Sequence, residues 1–290
     1  MIVHRAFASL GLALSIAIAS AAPGLAQTAV PVAATAAPVP AKVQLTAPDG
    51  RAIDVSVWRA ADERAVIVFS HGHGGRPESY RRLLGEWVMD GFTVVAPLHV
   101  DSMAHPQRAA FNGPAGFAAR VTDLAVVRGF VKTAHAGKPL IAAGHSYGSL
   151  MSMIAGGAVT AAGPQGDADV KAVVALSSAG DLPGLVTPQT WASLATPTLM
   201  ITGDADLVEG YVTDWRAHRS PFDKGPPGDK MLIVYAGGDH SLVGNADAAD
   251  FALMIAASTD FMESYALGDA ASRARLDAMA APDGVTIERR

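Results

Sequence analysis

From Lys42 onward, short and wholly apolar runs alternate with longer amphipathic stretches. Ala65–Ser70 reads Ala-Val-Ile-Val-Phe-Ser, with nothing polar before its last position. A run so short and so apolar predicts a strand covered on both faces. Residues 93–96, 140–143, 172–177, 198–202 and 231–235 repeat that type. Residues 43–46 and 53–58 flank Pro48-Asp49-Gly50, which predicts a hairpin. Between the apolar runs, residues 78–89, 118–134 and 147–158 carry helical periodicity, with a weaker stretch near 211–218. Residues 246–265 and 270–280 predict two closing helices. Strands separated by helices imply an α/β fold: a mostly parallel eight-stranded sheet, its first two strands antiparallel, with helices on both faces.

The first 41 residues do not share this pattern. His4 and Arg5 precede an apolar run over 6–22, and Gly24-Leu25-Ala26 then offers small residues at the minus-three and minus-one positions of a cleavage site. This is the form of a secretory signal peptide over 1–26. Residues 27–41 are almost entirely Ala, Pro, Val and Thr and predict a flexible leader, because such a stretch buries too little surface to fold. The folded domain is therefore expected over 42–290, in a periplasmic or secreted protein without a stable membrane span once the signal is removed.

Composition narrows the function classes. Half of the 290 residues are apolar and 17% are charged, which suits one sizeable core. A net charge of −5 and the lack of any basic stripe exclude nucleic acid as an expected partner. The chain has no cysteine, so disulfides, thiolate chemistry and attachment of lipid through cysteine are all excluded.

Gly144-His145-Ser146-Tyr147-Gly148 fits Gly-x-Ser-x-Gly and stands between a predicted strand and a predicted helix. In that setting the serine sits on a sharp turn, held clear of the sheet edge, where its hydroxyl can act as a nucleophile. Serine is weak at neutral pH and needs a base, which in turn needs an orienting acid. His240, in Gly238-Asp239-His240 just after the last predicted strand, reaches the same sheet edge and is the expected base. His135 and His218 are expected on surface segments, and His145 lies inside the turn itself. The acid should follow a strand between serine and histidine. Asp206 is favoured because the longer excursion past Gly203 suits a reach over the sheet edge; Asp204 and Asp181 are the alternatives. A tetrahedral intermediate also needs donors for its oxygen. The expected donors are the backbone N–H of Tyr147 and that of His73, in the loop Ser70-His71-Gly72-His73-Gly74-Gly75. The His71-x-His73 pair would need His99 or Asp101 to build a metal site, and Gly75 and Arg76 occupy the places where a His-x-His-x-Asp-His pattern has its Asp and last His. No metal and no cofactor are expected.

Over about 65–280 the chain resembles the α/β-hydrolase superfamily, and more narrowly the bacterial hydrolases related to platelet-activating-factor acetylhydrolase, often called dienelactone-hydrolase-like. The residues that carry the likeness are Phe69 to Gly75, Val95-Ala96-Pro97-Leu98-His99, Arg120-x-x-Asp123, Ala143 to Gly148, Lys171 to Leu176, Pro226-Pro227-Gly228-Asp229-Lys230 and Gly238-Asp239-His240. The resemblance implies Ser146, Asp206 and His240 as triad, and His73 and Tyr147 as oxyanion donors. Dienelactone hydrolases proper use cysteine, which this chain lacks, and His73 stands where an apolar residue is common. Arg120 and Asp123 are spaced as a pair on one helix face and are expected to be structural. The expected activity is hydrolysis of a small carboxylic ester through an acyl-enzyme. A peptidase or amidase with the same triad, and an inactive binding protein on this scaffold, are the competing readings. The segments 180–195, with Trp191, and 211–229, with Trp215 and Phe222, are too short for a cap domain, so a shallow open cleft is expected.

Overall fold

The apolar runs form one sheet because each central strand offers apolar side chains to both sides. The computed structural model describes Met1 and residues 38–290 apart from Pro188. Beyond Met1, the expected signal peptide and the leader as far as residue 37 lie outside the described residues. The sheet has nine strands: β1 (Ala41–Thr46), β2 (Ala52–Trp58), β3 (Ala65–Ser70), β4 (Phe92–Pro97), β5 (Leu140–His145), β6 (Val170–Leu176), β7 (Thr198–Gly203), β8 (Lys230–Tyr235) and β9 (Val285–Arg289). Their spatial order is β1-β2-β4-β3-β5-β6-β7-β8-β9. Strands β3 to β8 run parallel, whereas β2 lies antiparallel to β1 and β4, and β9 antiparallel to β8.

The expected sheet was one strand short. Val285–Arg289 carries only two apolar residues, and it sits at the sheet edge, half-buried. Val285 and Ile287 nevertheless alternate toward the core, so a brief period-two signal was present. Strand β1 begins at Ala41, the last residue of the expected leader.

Among the described residues, seven α-helices accompany the sheet: α1 (Arg81–Met89), α2 (Pro114–Ala134), α3 (Tyr147–Ala155), α4 (Ser220–Lys224), α5 (Leu242–Asn245), α6 (Ala248–Ala266) and α7 (Ala270–Ala278). The first of the two closing helices starts later than its apolar pattern suggests. Asp247 caps α6 by accepting from the N–H groups of Ala249 and Asp250, both at 2.9 Å. No helix among the described residues is long and apolar enough to cross a membrane.

Two apolar clusters sandwich the sheet. On one face Leu84 and Trp87 of α1 and Met254 and Phe261 of α6 pack with Ile67, Phe69, Ile141 and Val174. On the other, Leu124 and Val127 of α2 and Leu150 and Met153 of α3 pack with Val66, Val68, Val173 and Met200. Alternate residues of β3 thus serve opposite clusters. Trp191 and Phe222 also belong to the second cluster, so these two aromatics of the short insertions fill core and do not line a cleft.

The connection leaving β3 passes through α1, on the first face, while that leaving β5 enters α3, on the second. Strands β3 and β5 are neighbours. Their carboxyl ends therefore flank a topological switch point, where the departing loops diverge and leave a crevice. The loop from Ser70 and the turn at Ser146 both open there.

Candidate active site

The turn at Ser146 is tight enough to strain its backbone. Ser146 has φ 55° and ψ −122°, in the region that L side chains avoid. Its N–H donates to the Leu176 carbonyl on neighbouring β6 (2.9 Å), and its own carbonyl accepts from Ser149 Oγ (2.6 Å). Both glycines of the motif are required by contact. A Cβ on Gly148 would lie 1.9 Å from the Ser70 carbonyl oxygen, and one on Gly144 would lie 2.3 Å from that of Gly148. Helix α3 can start this close to β3 only without those side chains. Gly148→Ala is accordingly expected to destabilise the fold by about 3 kcal/mol or more, since the obstacle is backbone. Chemical denaturation of the variant checks this, and a loss under about 1 kcal/mol would contradict the packing.

Asp206 and His240 meet directly. His240 Nδ1–H donates to Asp206 Oδ1 at 2.7 Å. Thr202 Oγ1–H donates to Asp206 Oδ2 at 2.8 Å, and Asp206 is fully buried. Strands β7 and β8 bring the two loops together because Gly203 lies against Gly238, where a Cβ would come within 2.0 Å of the Gly238 carbonyl oxygen. The two alternative acids lie elsewhere. Asp204 Oδ1 accepts from the Gly237 N–H (2.6 Å), tying the same two loops together. Asp181 faces Lys224 (2.8 Å) and Ser220 (3.2 Å).

The serine turn is joined to the histidine loop through His145. Its Nε2–H donates to the His240 carbonyl (3.1 Å), its Nδ1 accepts from the Tyr80 hydroxyl (2.9 Å), and Tyr80 in turn accepts from the Gly72 N–H (3.1 Å). Each proton in this chain has one possible direction, which fixes the His145 tautomer. Burial, aided by the charge available to His240, holds His145 down to about 4, so it is neutral at physiological pH. Ser146 Oγ makes no protein hydrogen bond among the described residues.

The loop after β3 is clamped from below. Arg120, on α2 and fully buried, does not pair with Asp123 as its spacing suggested. It grips both oxygens of Asp101 (2.7 and 2.8 Å) and donates to the carbonyls of His71 (2.8 Å) and Gly72 (3.2 Å) and to Ser70 Oγ (3.3 Å). Asp123 instead takes a bidentate bond from Arg51 on the β1–β2 turn (2.7 and 3.1 Å). Helical spacing made the Arg120–Asp123 pair available, but a buried guanidinium with five donors needs the richer set of acceptors. With these two carbonyls tied back, the His73 N–H has no acceptor among the described residues, and neither has that of Tyr147. A Cβ on Gly72 would stand 3.3 Å from Ser146 Cβ, so this loop lies against the serine turn.

The histidines expected on the surface are buried instead. His135 contacts Glu63 (2.8 Å). His218, 1% exposed, lies beside Asp206, with Nε2 at 2.9 Å from its carbonyl oxygen and 3.0 Å from Oδ1. Only helical periodicity was available around His218, and it was weak; here the chain forms a 3₁₀ turn from Trp215 to Arg219 leading into α4. Burial works against the charge of Asp206, but hydrogen bonds from His218 and His240 outweigh it and hold the carboxyl well below the ordinary range.

Asp206, His218 and His240 could between them offer three metal-ligating atoms within 4.8 Å of one another. At these lengths, however, the nitrogens are hydrogen-bonded to Asp206. Of the other residues weighed for a metal, His71 has both ring nitrogens on backbone, at Gly72 O (2.7 Å) and His99 N (3.0 Å). His99 Nε2 pairs with Ser70 Oγ (2.7 Å), and His73 Nδ1 with Asp101 (2.9 Å).

No family model and no curated protein sequence matches the chain. Solved structures do. A cold-adapted esterase from an Arctic intertidal metagenomic library superposes with a TM-score of 0.56 at 17% identity, covering 78% of this chain and 92% of the esterase. A dienelactone hydrolase from Anabaena variabilis gives 0.58 at 14% identity, covering 80% and 100%. A puromycin-hydrolyzing peptidase from Mycobacterium tuberculosis gives 0.59 at 15% identity, covering 79% of this chain but 40% of the peptidase. With its mostly parallel sheet and flanking helices, the chain has the α/β-hydrolase fold.

Proposed function

We propose that the protein is an exported serine hydrolase that cleaves small carboxylic esters through an acyl-enzyme. The observation that carries this reading is the 2.7 Å bond between Asp206 and His240 on the sheet edge that also presents the strained Ser146. In this reading His240 Nε2 takes the proton of Ser146 Oγ as the oxygen attacks the ester carbonyl. Asp206 holds the imidazole in the tautomer that leaves Nε2 able to accept. The oxyanion is received by the N–H groups of His73 and Tyr147, and their lack of acceptors among the described residues supports the role. The imidazolium then protonates the leaving alcohol, and the neutral imidazole activates water to release the acid.

The apolar run over 6–22 and the Ala/Pro stretch after it support export. The similarity to an esterase and a dienelactone hydrolase favours esters, while that to a peptidase keeps amides as the second reading. Rates on matched pairs of p-nitrophenyl esters and p-nitroanilides decide between them. Ester turnover should exceed that of the matched amide by more than alcohol and amine leaving-group chemistry accounts for. Equal or faster amide cleavage would move the reading to the amidase, and no turnover of either across acyl lengths would favour an inactive binding protein. His73→Ala should leave most ester turnover intact, because only the backbone N–H of that residue is assigned a role. A loss as large as that of His240→Ala would place the His73 side chain in the chemistry.

A further inference from the structure

His218 has a hydrogen-bonding problem that a neutral imidazole cannot solve. Its Nδ1 is in hydrogen-bond contact with the Ser178 carbonyl, and its Nε2 lies 2.9 Å from the Asp206 carbonyl oxygen and 3.0 Å from Asp206 Oδ1. Carbonyl and carboxylate oxygens only accept. A neutral imidazole has one N–H and one bare lone pair, so one of its nitrogens would face an acceptor with no proton between them. At 1% exposure no water can relieve that repulsion. The imidazolium, with two N–H groups, satisfies every contact.

We propose that His218 is a buried imidazolium that holds Asp206 together with His240, and is a positioning residue for the reaction proposed above. Asp206 Oδ1 is then shared by two N–H donors, one from His240 at 2.7 Å and one from His218. The ring of His218 lies nearly parallel to that of His240, with 6.2 Å between centroids. The titratable groups around it are Asp206 after β7 and His240 after β8, with His145 beyond His240; the loop after β6 contributes the Ser178 carbonyl, and its Asp181 is paired with Lys224 and Ser220. On its own turn the neighbouring charges are already paired, Arg216 with Asp214 and Arg219 with Asp223 and Glu288. Burial disfavours the charge on His218, but the hydrogen bond and charge of Asp206 prevail and raise it above the ordinary histidine value.

A fixed cation there acts on the acid. Asp206 stays ionised and in one orientation, because its Oδ1 cannot rotate away from two donors.

The protonation state is read directly by ¹⁵N–¹H correlation of the histidine rings in the intact, isotope-labelled protein, with His218 assigned through its own backbone. Both ring nitrogens of His218 should carry protons at pH 7.5. A signal from one bare, imine-type nitrogen at that pH would overturn the proposal, whatever the protein hydrolyses. The second arm is kinetic and rests on the hydrolase reading. In His218→Gln, kcat should fall by about tenfold with KM unchanged, because the substitution loosens Asp206 behind His240. An unchanged kcat, with any loss confined to KM or to stability, would reduce His218 to a packing role. A doubly protonated His218 in a protein with no hydrolytic activity would sink the hydrolase reading and leave the buried cation standing.

Discussion

Ser146→Ala is expected to lower kcat by on the order of 10⁶-fold while leaving the fold unchanged. The size of the loss follows from what the residue supplies. Without Oγ no covalent intermediate forms, and His240 and Asp206 then have no proton to move, so the whole assembly fails at once. What remains is the contribution of the His73 and Tyr147 N–H groups and of substrate binding. The fold should be indifferent because Ser146 Oγ makes no protein hydrogen bond among the described residues, whereas the Ser146 backbone bonds to Leu176 and Ser149 persist in alanine. Ester hydrolysis is the measurement, with circular dichroism as the control. Activity within tenfold of the parent, at an unchanged spectrum, would contradict the assignment.

Asp206→Asn is expected to lower kcat by about 10⁴-fold, and Asp204→Asn to leave it within a few fold. An asparagine amide at 206 can turn its NH₂ toward His240 and stabilise the wrong tautomer, with the proton on Nε2 where the serine proton must go. Asp206 is also the acceptor for Thr202 and the partner of His218, so the exchange disturbs three contacts at once. Asp204, by contrast, has its carboxylate on the Gly237 N–H at 2.6 Å, in the turn that steadies the His240 loop. The asparagine carbonyl can still accept from Gly237, so only the charge assistance is lost, which should lower stability by about 1 kcal/mol or less with little effect on turnover. Side-by-side kinetics and denaturation of the two variants separate the roles, and the reverse ranking in kcat would move the acid to Asp204.

Most of the sheet was legible in the sequence because its central strands are buried on both faces, and a run such as Ala65–Ser70 can do little else. Strand β9 was not, because an edge strand needs few apolar residues and Thr286, Glu288 and Arg289 mask the alternation of Val285 and Ile287. At the site, Ser146 was legible from the glycines that its turn demands, and the contacts at Gly144 and Gly148 give the reason. Asp206 and His240 were legible from the places where β7 and β8 end. The side chains behind them were hidden. Arg120 and Asp123 are spaced like a helical pair, yet their partners come from residues 101 and 51, which no local pattern indicates. His218 lies in a segment with weak periodicity, and its burial depends on three loops meeting over β6, β7 and β8. Likewise nothing in Gly-His-Ser-Tyr-Gly announces that His145 links Tyr80 to the His240 carbonyl.

The most direct test of the central claim is labelling of the folded chain with a fluorophosphonate, followed by peptide mass spectrometry. The account predicts a single adduct on Ser146, absent from Ser146→Ala and from protein denatured before exposure, and strongly reduced in His240→Ala. Ser177 is the internal control, since it too has a positive φ (46°) at the end of the adjoining strand but its hydroxyl is buried and has no base assigned to it. An adduct on Ser177, or no adduct on the folded protein at all, would contradict Ser146 as the nucleophile.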